Sequence, residues 1–136
     1  MRWTLAIALL HIARAVRPGG YCGSLSLPFG LSLRDVRLEV HPNRHSMSME
    51  FHSPKASMNC RGGTQQFTTT GLAMVLSRRA GERCVTEWMD THGIKIRYVE
   101  YDPWARTIAI AISKKVWPIT YKKTLHLASC GTAPPS

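Results

Sequence analysis

The sequence has no apolar run approaching the roughly 18–20 residues that a membrane-spanning helix needs, which removes that class of membrane protein. Its four cysteines, Cys22, Cys60, Cys84 and Cys130, contain no C-x-x-C pair. That spacing is a poor zinc signature and a weak disulfide one, so the thiols read as structural or incidental. There is no internal repeat, P-loop, Rossmann glycine pattern or nucleophile elbow, and none of the chemistries those motifs carry is indicated. His92 and His126 stand alone, with no nucleophile beside a recognisable base. The chain therefore reads as a non-enzyme without a cofactor or metal.

Acidic residues are also scarce, 8 against 18 Lys and Arg, which leaves a net charge of +10 and a pI near 10.0. A surplus of that size favours polyanionic partners such as nucleic acid or anionic lipid. It is spread evenly: residues 1–73 hold 8 basic and 3 acidic side chains and residues 74–136 hold 10 and 5, so each part contributes +5. A length of 136 residues fits one ordinary domain, or a very small domain with an extension, and 44% hydrophobic residues make it globular.

Residues 1–16, MRWTLAIALLHIARAV, pair an early arginine with an apolar run and small residues, as a secretory signal peptide does. His11, Arg14 and Arg17 crowd the end of that run, and Pro18-Gly19-Gly20 interrupts it. A signal segment, a short amphipathic or buried helix, and translated leader sequence all remain open. Residues 21–70 are rich in Ser, Gly, Pro, Arg, His and Thr, and only 34–40 alternate clearly, with Val36, Leu38 and Val40 on one face. One half-buried strand cannot fold alone, so residues 1–72 are expected to be a poorly structured extension. His45, Met47, Met49, His52 and Met58 are ligand types that suit copper, but without a fixed scaffold they read as polar loop.

After residue 70 the texture changes. Strands are predicted over 74–79, 83–87, 94–101, 107–112 and 117–121, and two turns of helix over 122–129. Turns fall at Ala80-Gly81-Glu82 and Asp102-Pro103. Trp88, Trp104 and Trp117 suit hairpin tips or core better than base stacking. Five short strands and a stub of helix bury too little surface to be comfortable as a monomer, and association of two chains would cover their edges.

The stretch MVLSRRAGERCV at 74–85, with the strands that follow it, resembles the start of the carbon storage regulator family of translational regulators. The resemblance covers residues from Ala73 to about Leu127. It implies a mainly β fold: a five-stranded antiparallel sheet with a short C-terminal helix in a strand-exchanged homodimer. It also implies recognition of GGA in messenger hairpin loops, or in small regulatory RNAs, with translation repressed or messenger stability altered. The RNA-binding residues it implies are Leu76, Ser77, Arg78, Arg79, Lys114, Lys115 and, at the position of the family's contacting arginine, Lys122 or Tyr121. Splayed loop bases could be read by an open strand edge, with the basic residues on phosphate and affinity falling with salt. Lys114-Lys115 stands where the family has Ala-Pro, and a lysine for the contacting arginine loses the planar fork.

That reading places the protein in the cytoplasm, with no membrane partner. A contrary reading is a small secreted or envelope-associated basic protein whose cysteines pair after a signal segment is removed. A third is a divergent family member that has lost RNA reading.

Overall fold

In a computed structural model, residues 16–26, 32–43, 45–52, 57–60 and 63–130 are described. They form nine strands and one helix: β1 (Gly19–Leu25), β2 (Leu33–Val40), β3 (Ser46–His52), β4 (Ser57–Asn59), β5 (Gln65–Thr70), β6 (Ala73–Leu76), α1 (Cys84–Thr91), β7 (Ile94–Asp102), β8 (Thr107–Val116) and β9 (Ile119–Ser129). The sheet runs β2-β1-β9-β8-β7-β6-β5-β3, and a β2–β3 pairing returns it to its start. The result is a closed antiparallel barrel of eight strands. β4 pairs with the far end of the β3 edge whose near end holds β5.

This overturns the expected five-stranded sheet with a C-terminal helix and a poorly structured N-terminal region. β1, β2, β3 and β5 supply half of the barrel wall, and β5 and β6 form one hairpin across residues 70–73. Closure within one chain also supplies the edge coverage that strand exchange between two chains was expected to provide.

Alternation explains the wall. Val36, Leu38 and Val40 point inward from β2 as their period of two predicts, and Met47, Met49 and Phe51 do so from β3. The histidine- and methionine-rich stretch read as polar loop is thus mostly strand, with its methionines in the core. Ile108, Ile110 and Ile112 of β8 and Leu125 and Leu127 of β9 complete that side. β7 changes phase midway, because its register to β8 shifts between Ile96 and Tyr98. Ile94 and Ile96 face inward before this bulge and Val99 and Tyr101 after it, which turns Tyr98 outward.

Two segments adopt the opposite secondary structure from the predicted one. Residues 122–129 continue β9, held to β8 from Thr107↔Ala128 to Val116↔Ile119. Their alternating Leu125 and Leu127 outweigh a weak helical propensity, because each pairs across to a buried isoleucine. Residues 83–87, expected as strand, open α1 instead, whose inner face is Val85, Thr86 and Met89. Arg83 gives the helix no side-chain cap. Gln65, fully buried in β5, replaces it: its Oε1 accepts from the Val85 and Thr86 amides at 3.1 and 3.2 Å. Its Nε2 donates to the Gln66 and Ser77 carbonyls, both at 2.9 Å. A residue from another strand thereby satisfies the orphan amides of the first turn.

Both disulfides tie distant chain together. Cys22 of β1 bonds to Cys130 just after β9, across 108 residues, and Cys60 after β4 bonds to Cys84 at the start of α1, across 24. Beside the first bridge, β1 crosses close over β9. A Cβ on Gly23 would collide with the His126 carbonyl oxygen and lie 3.0 Å from Leu127, so the approach requires glycine. Tyr21 and Tyr101 meet edge to face inside the barrel with centroids 6.4 Å apart, and the Tyr21 hydroxyl donates to the Arg17 carbonyl at 2.7 Å. Burial, reinforced by the Tyr101 phenol, pushes the Tyr21 phenol well above its ordinary range.

Candidate functional site

The stretch that carried the family resemblance is a turn braced by its own side chains. The Ser77 hydroxyl donates to Glu82 at 2.9 Å and accepts from the Arg79 amide at 3.2 Å. The Glu82 amide closes on the Arg79 carbonyl at 3.0 Å, while Gly81 takes a positive φ of 83°. Serine, glycine and glutamate at these spacings therefore bring the chain from β6 into α1, a local need that any fold could have. Leu76 is half-buried against the core. It lines a surface depression of about 250 Å³ between β6 and β7, which share one register pair, Ala73↔Glu100.

Of the remaining residues, Arg78 donates to Asp90 of α1 at 3.1 Å, an exposed pair, and Arg79 is exposed. Lys114 donates from Nζ to the His92 carbonyl at 2.8 Å, placing a cation at the C-terminal end of α1, where the helix dipole favours one. Arg78 and Lys114 are thus both anchored at the last turn of this helix, through Asp90 and His92. His92 itself stacks on Trp88 with centroids 3.8 Å apart.

Lys114, Lys115, Tyr121 and Lys122 come together on one structure, the β8–β9 hairpin. Lys114 lies opposite Tyr121, Lys115 opposite Thr120 and Ser113 opposite Lys122. Since opposed residues share a face, Lys114 and Tyr121 lie on one side of the ribbon and Lys115 and Lys122 on the other. Lys123, opposite Ile112, adds a fourth lysine on the Lys114 side. The hairpin outruns its neighbours: the β7 register ends at Ile94↔Lys114. Among the described residues β1 reaches β9 only at Tyr21↔Ser129 and Cys22↔Ala128.

At the hairpin tip Trp117 is 84% exposed and Ile119 53% exposed. Trp104, also 84% exposed, occupies the β7–β8 turn at the other end of β8. The hairpin is moreover free of acid. Residues 103–136 contain Arg106, Lys114, Lys115, Lys122 and Lys123 and no Asp or Glu, so this last quarter of the chain carries +5 of the total +10. Sequence reasoning counted charge by halves and so missed both this concentration and Lys123. The available signal was KKVWPITYKK, two lysine pairs around an apolar turn.

Among the described residues the barrel interior is mostly apolar side chains. Among the described residues every buried side-chain nitrogen and oxygen has a hydrogen-bond partner, and no group of three or more His, Cys, Asp or Glu is placed to hold a metal. No helix among them is long and apolar enough to cross a membrane. In comparisons with known proteins, no family model, no curated protein and no solved structure matches the chain.

Proposed function

We propose that this chain is a disulfide-braced barrel of an oxidising compartment, secreted or envelope-associated, that works as a non-enzymatic basic binding module for polyanionic partners. The observation that carries the reading is the pairing of all four cysteines, with one bridge fastening the first strand to the end of the last. Bridges of this kind persist where thiols are not kept reduced. The lysine-flanked hairpin supports the binding half of the proposal, since it concentrates positive charge on a projecting element with no carboxylate of its own to neutralise it. Alkylation and mass measurement of the natural protein test the reading. No cysteine is expected to be modified before reduction, and all four after it. Modification of the unreduced protein would place it among reduced, cytoplasmic proteins and end this reading.

A second reading is RNA binding in the cytoplasm. The convergence of Lys114, Lys115, Tyr121 and Lys122 on one ribbon favours it. A hairpin RNA with GGA in its loop, compared with one carrying CCA, separates sequence reading from charge attraction. A preference of roughly ten-fold, about 1.4 kcal/mol, supports base recognition. Equal binding that disappears with salt leaves only charge.

A further inference from the structure

We propose that the tip of the β8–β9 hairpin docks on a bilayer containing anionic lipid, with Trp117 and Ile119 inserted at the headgroup boundary and Lys115, Lys122 and Lys123 on the lipid phosphates. This rests on the binding reading above and names its partner.

Two independent features of the hairpin lead there. The first is its apolar end. Trp117 leaves most of its surface, and Ile119 about half, in water rather than in the core. Isolated exposed apolar residues are ordinary, but here they cap a ribbon that extends past its neighbours. Tryptophan is also the side chain that settles at a membrane interface, where its ring is half in the apolar region and its N–H reaches polar groups.

The second feature is the height and distribution of the charge. Lys115 precedes Trp117 by two residues and Lys114 by three, so at about 3.4 Å per residue their backbones lie about 7–10 Å behind the tip. An interfacial element buries its apolar part about 5–10 Å into the headgroup and acyl boundary. Insertion of the tip to that depth therefore brings Lys115 to phosphate level, while Lys114, at a similar height, is held by the His92 carbonyl. Lys122 and Lys123, opposite Ser113 and Ile112 and so about 14–17 Å behind the tip, reach forward by their long stems. Lysines on both faces of the ribbon keep this match at different tilts, and their long stems let each ammonium reach outward. With no carboxylate on the hairpin, nothing repels an anionic surface there.

RNA would be met differently. Bases stack on aromatic platforms lying along a groove, whereas here the aliphatic Ile119 shares the tip with tryptophan.

The oxidised full-length chain is mixed with large vesicles of phosphatidylcholine alone, or of phosphatidylcholine with phosphatidylserine, and sedimented. Binding to the anionic vesicles is expected to be about ten-fold tighter or more, and to weaken as salt is raised. The double variant Trp117→Ser, Ile119→Ser is expected to lose most of that binding with its denaturant midpoint unchanged. Lys115→Gln with Lys122→Gln, two lysines without a structural bond to the helix, is expected to weaken it and to flatten the salt dependence. Full binding by the Trp117, Ile119 variant, or equal affinity for both vesicles, would overturn the proposal. Binding to the hairpin RNA and not to either vesicle would overturn it too, in favour of nucleic acid. Loss of the oxidising-compartment reading shows separately, as alkylation of the unreduced protein.

Discussion

The two halves of the β8–β9 hairpin follow the same strand geometry with opposite contents. In the proximal half, β8 and β9 set Ile108, Ile110 and Ile112 against Leu127, Leu125 and Lys123, and all of these apolar side chains are buried in the barrel. In the distal half, lysines pair across the strands with serine, tyrosine and threonine, up to an exposed tryptophan and a half-exposed isoleucine. Pairing alone therefore does not make this ribbon part of the core; neighbours on either side do. The proximal half has β7 and β1 beside it and a disulfide at its base, whereas among the described residues the β7 pairing stops at Ile94↔Lys114 and beyond it the two strands of the ribbon pair only with each other. Stability belongs to the first half and the proposed binding to the second, and the predictions below test that division.

The largest effect is expected at the base of the hairpin. Replacing both Cys22 and Cys130 by serine removes a cross-link spanning 108 residues. In the chain-entropy account a loop of that length is worth about 4–5 kcal/mol, a large fraction of the stability of a domain this size. Urea unfolding of the variant should show the loss as a lower midpoint. A midpoint within error of the parent would mean that the bridge does not restrict the unfolded chain, and the barrel would owe its closure to packing alone.

Next comes Ile110→Ala in the proximal half. Ile110 is 1% exposed, and truncating such a side chain removes its burial and leaves a cavity, costing about 2–5 kcal/mol. Gln65→Ala should cost somewhat less, about 2 kcal/mol, by stripping the first-turn amides of α1 and the Ser77 carbonyl of their partner. Its signature differs, because hydrogen exchange should rise locally at Val85 and Thr86. Protection unchanged at those amides would show that α1 is held by the Cys60–Cys84 bridge and its buried face instead.

How much of this was legible from the sequence follows from which interactions decide each element. Period-two alternation identified residues 34–40 and 107–112, because Val36, Leu38 and Val40, and Ile108, Ile110 and Ile112, each answer to a single buried face. The barrel itself was hidden, since closure depends on a pairing of β2 with β3 and of β1 with β9, and in each pair one partner, β3 or β1, looks like loop in isolation. The helix at 84–91 was hidden for a related reason. Its start is fixed by Gln65, twenty residues away, and by a bridge from Cys60. MVLSRRAGERCV did not disclose the barrel, because its serine, glycine and glutamate meet a local turn requirement that does not specify the sheet around them. The site was legible in part. Lys114, Lys115, Tyr121 and Lys122 do gather on one ribbon, while Leu76, Ser77, Arg78 and Arg79 are occupied by packing, turn bracing and an exposed ion pair, or project from the turn.

The smallest effect is the most informative, because it repeats a substitution in the other half of the same hairpin. Ile119 lies on β9 opposite Val116, is 53% exposed, and has the same side chain as Ile110. If neighbours rather than strand pairing make the core, Ile119→Ala should change stability by no more than about 0.5 kcal/mol, as surface substitutions do, while Ile110→Ala costs several times that. Any loss should be confined to the tip, where fewer apolar contacts leave the β-branched preference for strand as the only term removed. A cost at Ile119 comparable to that at Ile110 would mean that the distal half is packed against something in solution, a second copy or a folded-back segment. The division between a structural half and a binding half would then fail, whatever the vesicles show.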